Sequence, residues 1–201
     1  MDIEESIKVF LPKYLSPEDQ TKLLECIDDF PDNLDSRFFT TFLKNEKVVF
    51  QGDGILNLPI TNFPQKNIKK TACLITSNTC DIANDNKRLF FEPRLTYSAI
   101  IELGRYDSFL QKKGISKKKL NSHISAIRKQ QVTQIFYLPK SSKNEESIVF
   151  LDRINNCSIK VIDYDSISDQ KLFTLSNYGF YIFLLKLSIS FTRIAEKVNR
   201  K

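Results

Sequence analysis

The chain reads as an α+β domain, a small β-barrel or strongly bent sheet with helices before, within and after its strands. Three observations lead there. Short β-rich runs, separated by Gly, Pro and Asn, recur between residues 47 and 163, which is the signature of strands and turns. Apolar residues at helical spacing mark the N-terminal region, residues 116–130 and the C-terminal region, as helices with one buried face require. The 201 residues are 41% hydrophobic and 27% charged, with 5 Gly and 7 Pro. That excludes a mainly disordered chain or a repeat fibre and suits one sizeable core.

The elements follow in order. Ser16-Pro17-Glu18-Asp19 is a helix start: Ser16 can cap, Pro17 suits the first helical position, and Asp19 completes a capping-box-like pair. Leu23, Leu24 and Ile27 then share a face, and Phe38, Phe39, Phe42 and Leu43 predict a second short helix. Residues 1–45 thus form an acidic helical prelude. Lys47–Phe50, Ile55–Ile60, Thr71–Thr76 and Leu95–Leu103 predict strands. Two helices are expected next, near Asp107–Lys113 and over Ser116–Gln130 with Leu120, Ile124 and Ile127 on one face. They form a basic helical insertion over 105–131. Strands resume at Thr133–Leu138, Ser147–Asp152 and Ser158–Asp163, and a C-terminal helix is expected over 168–199, with Ser176 a candidate cap. Barrel strands therefore occupy 46–104 and 132–163. No repeat or linker divides the chain, so a single domain over 1–201 is the simplest organisation.

The chain opens MDIEESIKVF, without a basic segment leading into an apolar run, which argues against a secretory signal. The most apolar stretch, FYIFLLKLSISFTRI, is interrupted by Lys186 and Arg193 and reads as a buried helix rather than a membrane span. Cysteines 26, 73, 80 and 157 show no close pairing, so nothing points to an oxidising compartment. A cytoplasmic protein with no membrane partner is expected.

Charge is informative by position. Residues 1–36 hold ten acids against three lysines, whereas residues 105–143 hold ten bases against Asp107 alone. The formal net charge of +6 hides this contrast. Either the acidic head neutralises the basic middle within the fold, or the middle meets a polyanion.

The stretch LITSNTCDIANDN, residues 74–86, ends an apolar run in Ser77, Asn78, Thr79, Cys80 and Asp81. It follows Gly52-Asp53, LNLPI and KKTACLITSNTCD, and precedes LTYSAIIEL. That order resembles the PemK/MazF-like toxin family over roughly residues 50–104 and more weakly 132–163. The resemblance implies an SH3-like barrel and an RNA-directed, toxin-like or defence-associated role, with metal-independent endoribonuclease activity in the best-known members. Those members use an Arg before the central strand and a Thr or Ser at the end of a later one. Here the first position is Lys69 or Lys70, and the later strand, Thr96-Tyr97-Ser98-Ala99-Ile100, has no matching Pro-Thr. Cys80-Asp81 is not part of the family pattern. The fold can therefore carry over without the chemistry.

Metal-free RNA cleavage needs a base for the 2′-hydroxyl, an acid for the leaving oxygen and positive charge on the phosphate. The candidate set is Asp81 as base, Lys69, Lys70 or Arg88 as clamp, Ser77 or Thr79 as an orienting hydroxyl, with Cys80 beside them. The competing reading is that Asp81 and Ser77 cap a turn, as these residue types do routinely. A Cys80 nucleophile would need His123, the one histidine, to meet it in space. No CxxC or HxxxH pair suggests zinc, and no glycine-rich phosphate loop is present. No cofactor and no metal are expected.

Lys112, Lys113, Lys117, Lys118 and Lys119 bracket Gly114, while Arg128 and Lys129 end the second helix. Lysines at a turn suit phosphate contacts, and Phe136 and Tyr137 offer rings for stacking. A solvated face or pairing with the acidic head are the alternatives. The expected partner is RNA or another nucleic acid, with catalysis open. The rival is a protein-interaction module or homodimer, using the acidic head and the apolar C-terminal helix.

Overall fold

The computed structural model describes residues 16–32, 34–86 and 88–192. The first helix, α1 (Pro17–Asp28), starts as its sequence requires: Ser16 Oγ accepts from Asp19 N at 3.1 Å and donates to the Asp19 carboxylate at 2.8 Å. Beyond a 3₁₀ turn at Ser36–Phe38 come β1 (Phe39–Thr40), β2 (Gly54–Ile60), β3 (Lys69–Ile75) and β4 (Arg94–Glu102). Helices α2 (Leu103–Lys112) and α3 (Lys117–Arg128) follow, then β5 (Ile135–Leu138) and β6 (Ser147–Ser158). A one-turn helix α4 (Ile167–Gln170), β7 (Lys171–Leu175) and the long α5 (Asn177–Thr192) complete the fold. Among the described residues no helix is long and apolar enough to cross a membrane.

All strand pairs are antiparallel, and one sheet runs in the order β1-β7-β2-β3-β4-β6-β5, curled into a half-barrel. Four sequence expectations give way. Phe38, Phe39, Phe42 and Leu43 do not form a helix: their backbone makes a 3₁₀ turn and then β1, and the Phe42 ring faces solvent. Lys47–Phe50 is not a strand but a loop anchored by buried Val49. The two strands expected at 147–152 and 158–163 are one twelve-residue strand, β6, ending in a 3₁₀ turn at Ile159–Val161. The C-terminal helix begins at Asn177 rather than near 168, because Lys171–Leu175 pairs with both β1 and β2. The last part of that expected helix, 193–199, lies outside the described residues, as does the start of the acidic prelude, 1–15.

Three register shifts shape the sheet, one of them between β2 and β7 at Gly54–Ile55. Asn57, at φ 62°, is the extra residue of a bulge in β2 opposite β3, and Asn tolerates that left-handed backbone better than most residues. In β6 the partner of β4 jumps from Ile154 (opposite Ser98) to Val149 (opposite Ile100). The run Phe150–Arg153 therefore leaves the β4 ladder, while Phe150 stays opposite Ile135 of β5 and Leu151 N donates to Gln134 O at 2.8 Å.

Three apolar clusters share the sheet. On one side Leu74, Phe136, Val149 and Phe173 pack with Tyr178, Tyr181, Ile182 and Phe183 of α5. A second cluster gathers Ile55, Leu58, Cys73, Ile75, Leu95 and Tyr97. The third joins Leu120, Ile124 and Ile127 of α3 to Ile135, Tyr137 and Ile148, which fixes the inserted helices on the β5–β6 end.

Candidate nucleic-acid interface

The 74–94 segment is tied down by its own polar side chains. Ser77 Oγ accepts from Thr96 N at 2.7 Å and shares a hydrogen bond with Thr96 Oγ1 at 2.9 Å. Thr79 Oγ1 accepts from Gln51 N at 2.9 Å, and Asn78 Oδ1 accepts from Cys80 N at 2.9 Å. Asp81 is brought against Arg88, whose guanidinium donates to the Asp81 carboxylate and lies over the Phe91 ring at 4.9 Å. Ser77, Thr79, Cys80, Asp81 and Arg88 are thus neighbours along one loop, but the side-chain oxygens of Ser77, Thr79 and Asp81 and the Arg88 guanidinium are already engaged with one another, with Thr96 or with backbone, and the Cys80 thiol is exposed.

Lys70 is not with them. It pairs with Pro59 at the opening of β3, and the five residues on to Ile75 span roughly 17 Å of extended strand. Cys80 is exposed and borders a groove of about 570 Å³ with Phe50, Asn177 and Phe180. His123 instead bonds Tyr106 at 3.1 Å on the helical insertion, so no Cys–His pair forms. Among the described residues no cluster of His, Cys, Asp and Glu could hold a metal ion.

A buried charge pair escaped the sequence reading. Asp53 and Lys171 are almost fully enclosed, with Lys171 Nζ 3.5 Å from Asp53 Oδ2. Lys171 Nζ also donates to Glu46 O at 3.1 Å and Leu43 O at 3.3 Å, and sits over the Phe50 ring. Asp53 Oδ2 accepts from Phe50 N at 2.9 Å, while Oδ1 completes no hydrogen bond. Burial pushes the Asp53 carboxyl above the usual range, and the Lys171 ammonium opposes that rise. Gly52, at φ 88°, makes the turn possible; a Cβ there would also lie 2.8 Å from Leu175 Cδ1. The Gly52-Asp53 dipeptide therefore fastens the 43–50 loop to β7.

The basic middle divides in two. Arg128 bonds Glu146 through Nε at 2.9 Å and Nη2 at 2.7 Å, and Tyr137 Oη donates to Glu146 at 2.6 Å. Arg128's hydrogen bonds hold the Glu146 carboxyl below its usual range. Lys129 reaches Asp32 at 3.2 Å, so the acidic head neutralises that end. Lys112, Lys113, Lys117, Lys118 and Lys119 are exposed around the α2–α3 turn. None takes a carboxylate partner among the described residues; Lys113 lies over the Phe109 ring at 4.7 Å. Phe136 and Tyr137, expected to stack on bases, are instead buried in two of the apolar clusters.

A cleft of about 510 Å³ crosses β3, β4 and β6 beside the start of α2. Arg105, Lys143 and Arg153 line it, together with Asn144 and Asn155. The Arg153 guanidinium stacks on the Phe150 ring at 3.7 Å. No protein-family model matches the chain, and no curated protein sequence matches it.

Proposed function

We infer that the protein binds RNA, and that its curled sheet is a divergent SH3-like barrel of the PemK/MazF-like kind. The role that goes with this reading is toxin-like or defence-associated, exercised by binding rather than by cutting. The observation that carries it is the α2–α3 corner. Five lysines crowd one turn without a carboxylate partner among the described residues, while Arg128, Lys129 and Lys140 nearby are paired. Such a corner has a high potential of one sign and suits a phosphate backbone. The antiparallel run β2-β3-β4, opened by Gly52-Asp53, supports the barrel reading.

Binding without cleavage is favoured by the loop at 77–88. A base must be free to take a proton, and Asp81 is held by Arg88; Ser77 and Thr79 already accept from backbone N–H groups. The test is incubation with a long single-stranded RNA, with and without a chelator, at low and moderate salt. Intact RNA is expected to be retained at low salt and released as salt rises, with a slope of about −0.7 per phosphate neutralised. Cleavage that survives the chelator, and is lost in Asp81→Asn/Arg88→Ala, would replace this reading with a ribonuclease.

A second reading rests on Leu89, Phe90 and Phe91, whose side chains are 91%, 93% and 60% exposed on one loop. An apolar tip of this kind marks a protein contact. Its flanking charges are already paired, Arg88 with Asp81 and Glu92 with Lys160, which disfavours a polyanion there. If the loop seats a second copy, sedimentation shows a dimer that Phe90→Ser converts to monomer. A monomer at every concentration discards the homodimer.

A further inference from the structure

We propose that the cleft over β3, β4 and β6 seats one nucleotide of a single-stranded RNA, its base on the Arg153–Phe150 stack and its phosphate between Arg105 and Lys143. This rests on the RNA-binding reading above and assigns the place where strand, rather than duplex, is distinguished.

Four observations converge on the cleft. First, the β6 bulge takes Phe150 and Arg153 out of the pairing with β4, Phe150 staying opposite Ile135 of β5, and the Arg153 guanidinium carbon lies over the Phe150 ring at 3.7 Å. Bulges next to sites re-aim side chains in this way, and a guanidinium plane is a surface on which an unstacked base can lie. Second, Arg105, Lys143 and Arg153 are all exposed along its walls. The two acids of the lining are engaged: Glu102 with Arg105 at 2.9 Å, and Glu145 with Lys140 at 2.9 Å. The Glu102 pair is a solvent-exposed bridge that a phosphate can displace at little cost.

Third, Asn144 lines the cleft at 9% exposure and its Nδ2 has no partner. A buried donor left without an acceptor is costly; the nitrogen is closed off from solvent, so a ligand oxygen meets it once the amide turns into the cleft. Asn155 points the same way. Its Oδ1 is occupied by Thr61 N at 2.8 Å, and its amide nitrogen takes no partner among the described residues. Fourth, α2 leads from the cleft toward the lysine corner, with Arg105 in the cleft lining and Lys112 near its end. Arg105 and Lys112 are two turns apart on the same face of α2, about 10 Å along the axis. A strand leaving the cleft therefore runs along α2 to Lys112–Lys119.

The volume, about 510 Å³, falls in the range of small-ligand sites, so a free mononucleotide shares the chemistry. The lysine track beyond the cleft favours a strand.

The experiment is fluorescence anisotropy with a labelled single-stranded RNA and with a duplex of the same sequence, at two salt concentrations. Arg153→Ala is expected to weaken single-strand binding about tenfold, the value of one stacked base, and to leave duplex binding within about twofold, because a duplex offers no unstacked base. Arg153→Lys keeps the charge and loses the plane, so it should show most of the same loss; a merely electrostatic role would leave it near wild type. Lys117→Ala/Lys118→Ala/Lys119→Ala should weaken both RNAs and flatten the salt slope. The proposal is overturned if both Arg153 variants bind single strands as wild type does while the lysine variant still weakens binding. Wild type that binds neither RNA overturns the functional reading itself. Adenosine monophosphate that competes as strongly as the strand gives the cleft to a free nucleotide and overturns the strand assignment.

Discussion

Asp53 and Lys171 form a pair that neither residue can leave alone. With both side chains out of water, removing one partner strands a buried charge, which costs about 3–5 kcal/mol, whereas replacing both with apolar groups can be near neutral. Asp53→Asn and Lys171→Met are each expected to lower unfolding free energy by about that amount. The double variant should recover most of it, as read by urea denaturation; additive losses would show that the two residues act independently. Lys186 poses a different question. Its Nζ donates to Gln130 O at 2.8 Å and Val132 O at 2.6 Å in the interior, and burial lowers its pKa to about 8 from 10.5. Between those values the unfolded chain binds the extra proton, so this residue adds stability as pH rises from 8 toward 10.5. Cys73, pushed up to about 12 by burial, pulls the other way above pH 9. The difference between wild type and Lys186→Met therefore isolates the lysine: it should grow in wild type's favour across pH 8–9, and a pH-independent difference would refute the shift.

At the scale of elements, α5 is the piece whose fit is most demanding. Ser176 N donates to Phe38 O at 3.0 Å, Ser176 Oγ donates to Arg37 O at 2.6 Å and accepts from Gly179 N at 3.2 Å, and the helix then drives Tyr178, Ile182 and Phe183 into the core. A Cβ on Gly179 would lie 2.2 Å from Phe38 O. Alanine is the better helix former by roughly 1 kcal/mol, yet Gly179→Ala is expected to destabilise by at least about 2 kcal/mol because backbone must move. A rise in Tm would show that the 3₁₀ turn yields freely. The elements were unequally legible. β2, β3, β4 and β5 each carry their own β-rich run and flanking turn residues. KLFTL, which becomes β7, runs directly into the apolar helix, and only its pairing with β1 and β2 separates the two. Helix and strand compete there on tertiary contacts that no local pattern contains. The cleft was hidden for the same reason: Arg153 and Phe150 meet only because β6 slips against β4, and Lys171 matters only through an aspartate far away in sequence.

Across the whole molecule, one sheet serves three apolar clusters: α5 packs on it, α1 packs on α5, and the inserted helices pack on each other and on the β5–β6 end. The clusters should therefore melt together. Calorimetric and van't Hoff enthalpies are expected to agree, and a separate early transition would show the helical pair α2–α3 to be an independent unit. The charge asymmetry seen in the sequence resolves at this scale. Lys129–Asp32 is the one ion pair between the acidic head and the basic middle among the described residues, and the α2–α3 corner keeps its positive field.

The position of β7 in the sheet has a consequence for how the chain is made. β7 lies between β1 and β2, so β2 keeps a bare edge, and Asp53 an unfilled neighbour, until the ribosome has delivered Lys171–Leu175. At about 5–20 residues per second, the roughly 120 residues between Asp53 and Lys171 take on the order of 6–24 s to synthesise. For that interval the nascent chain carries an unpaired strand edge and a carboxylate awaiting its cation. The sheet closes only after β7 is made, and a chain stalled before Lys171 would be a substrate for chaperones rather than a shortened version of the protein.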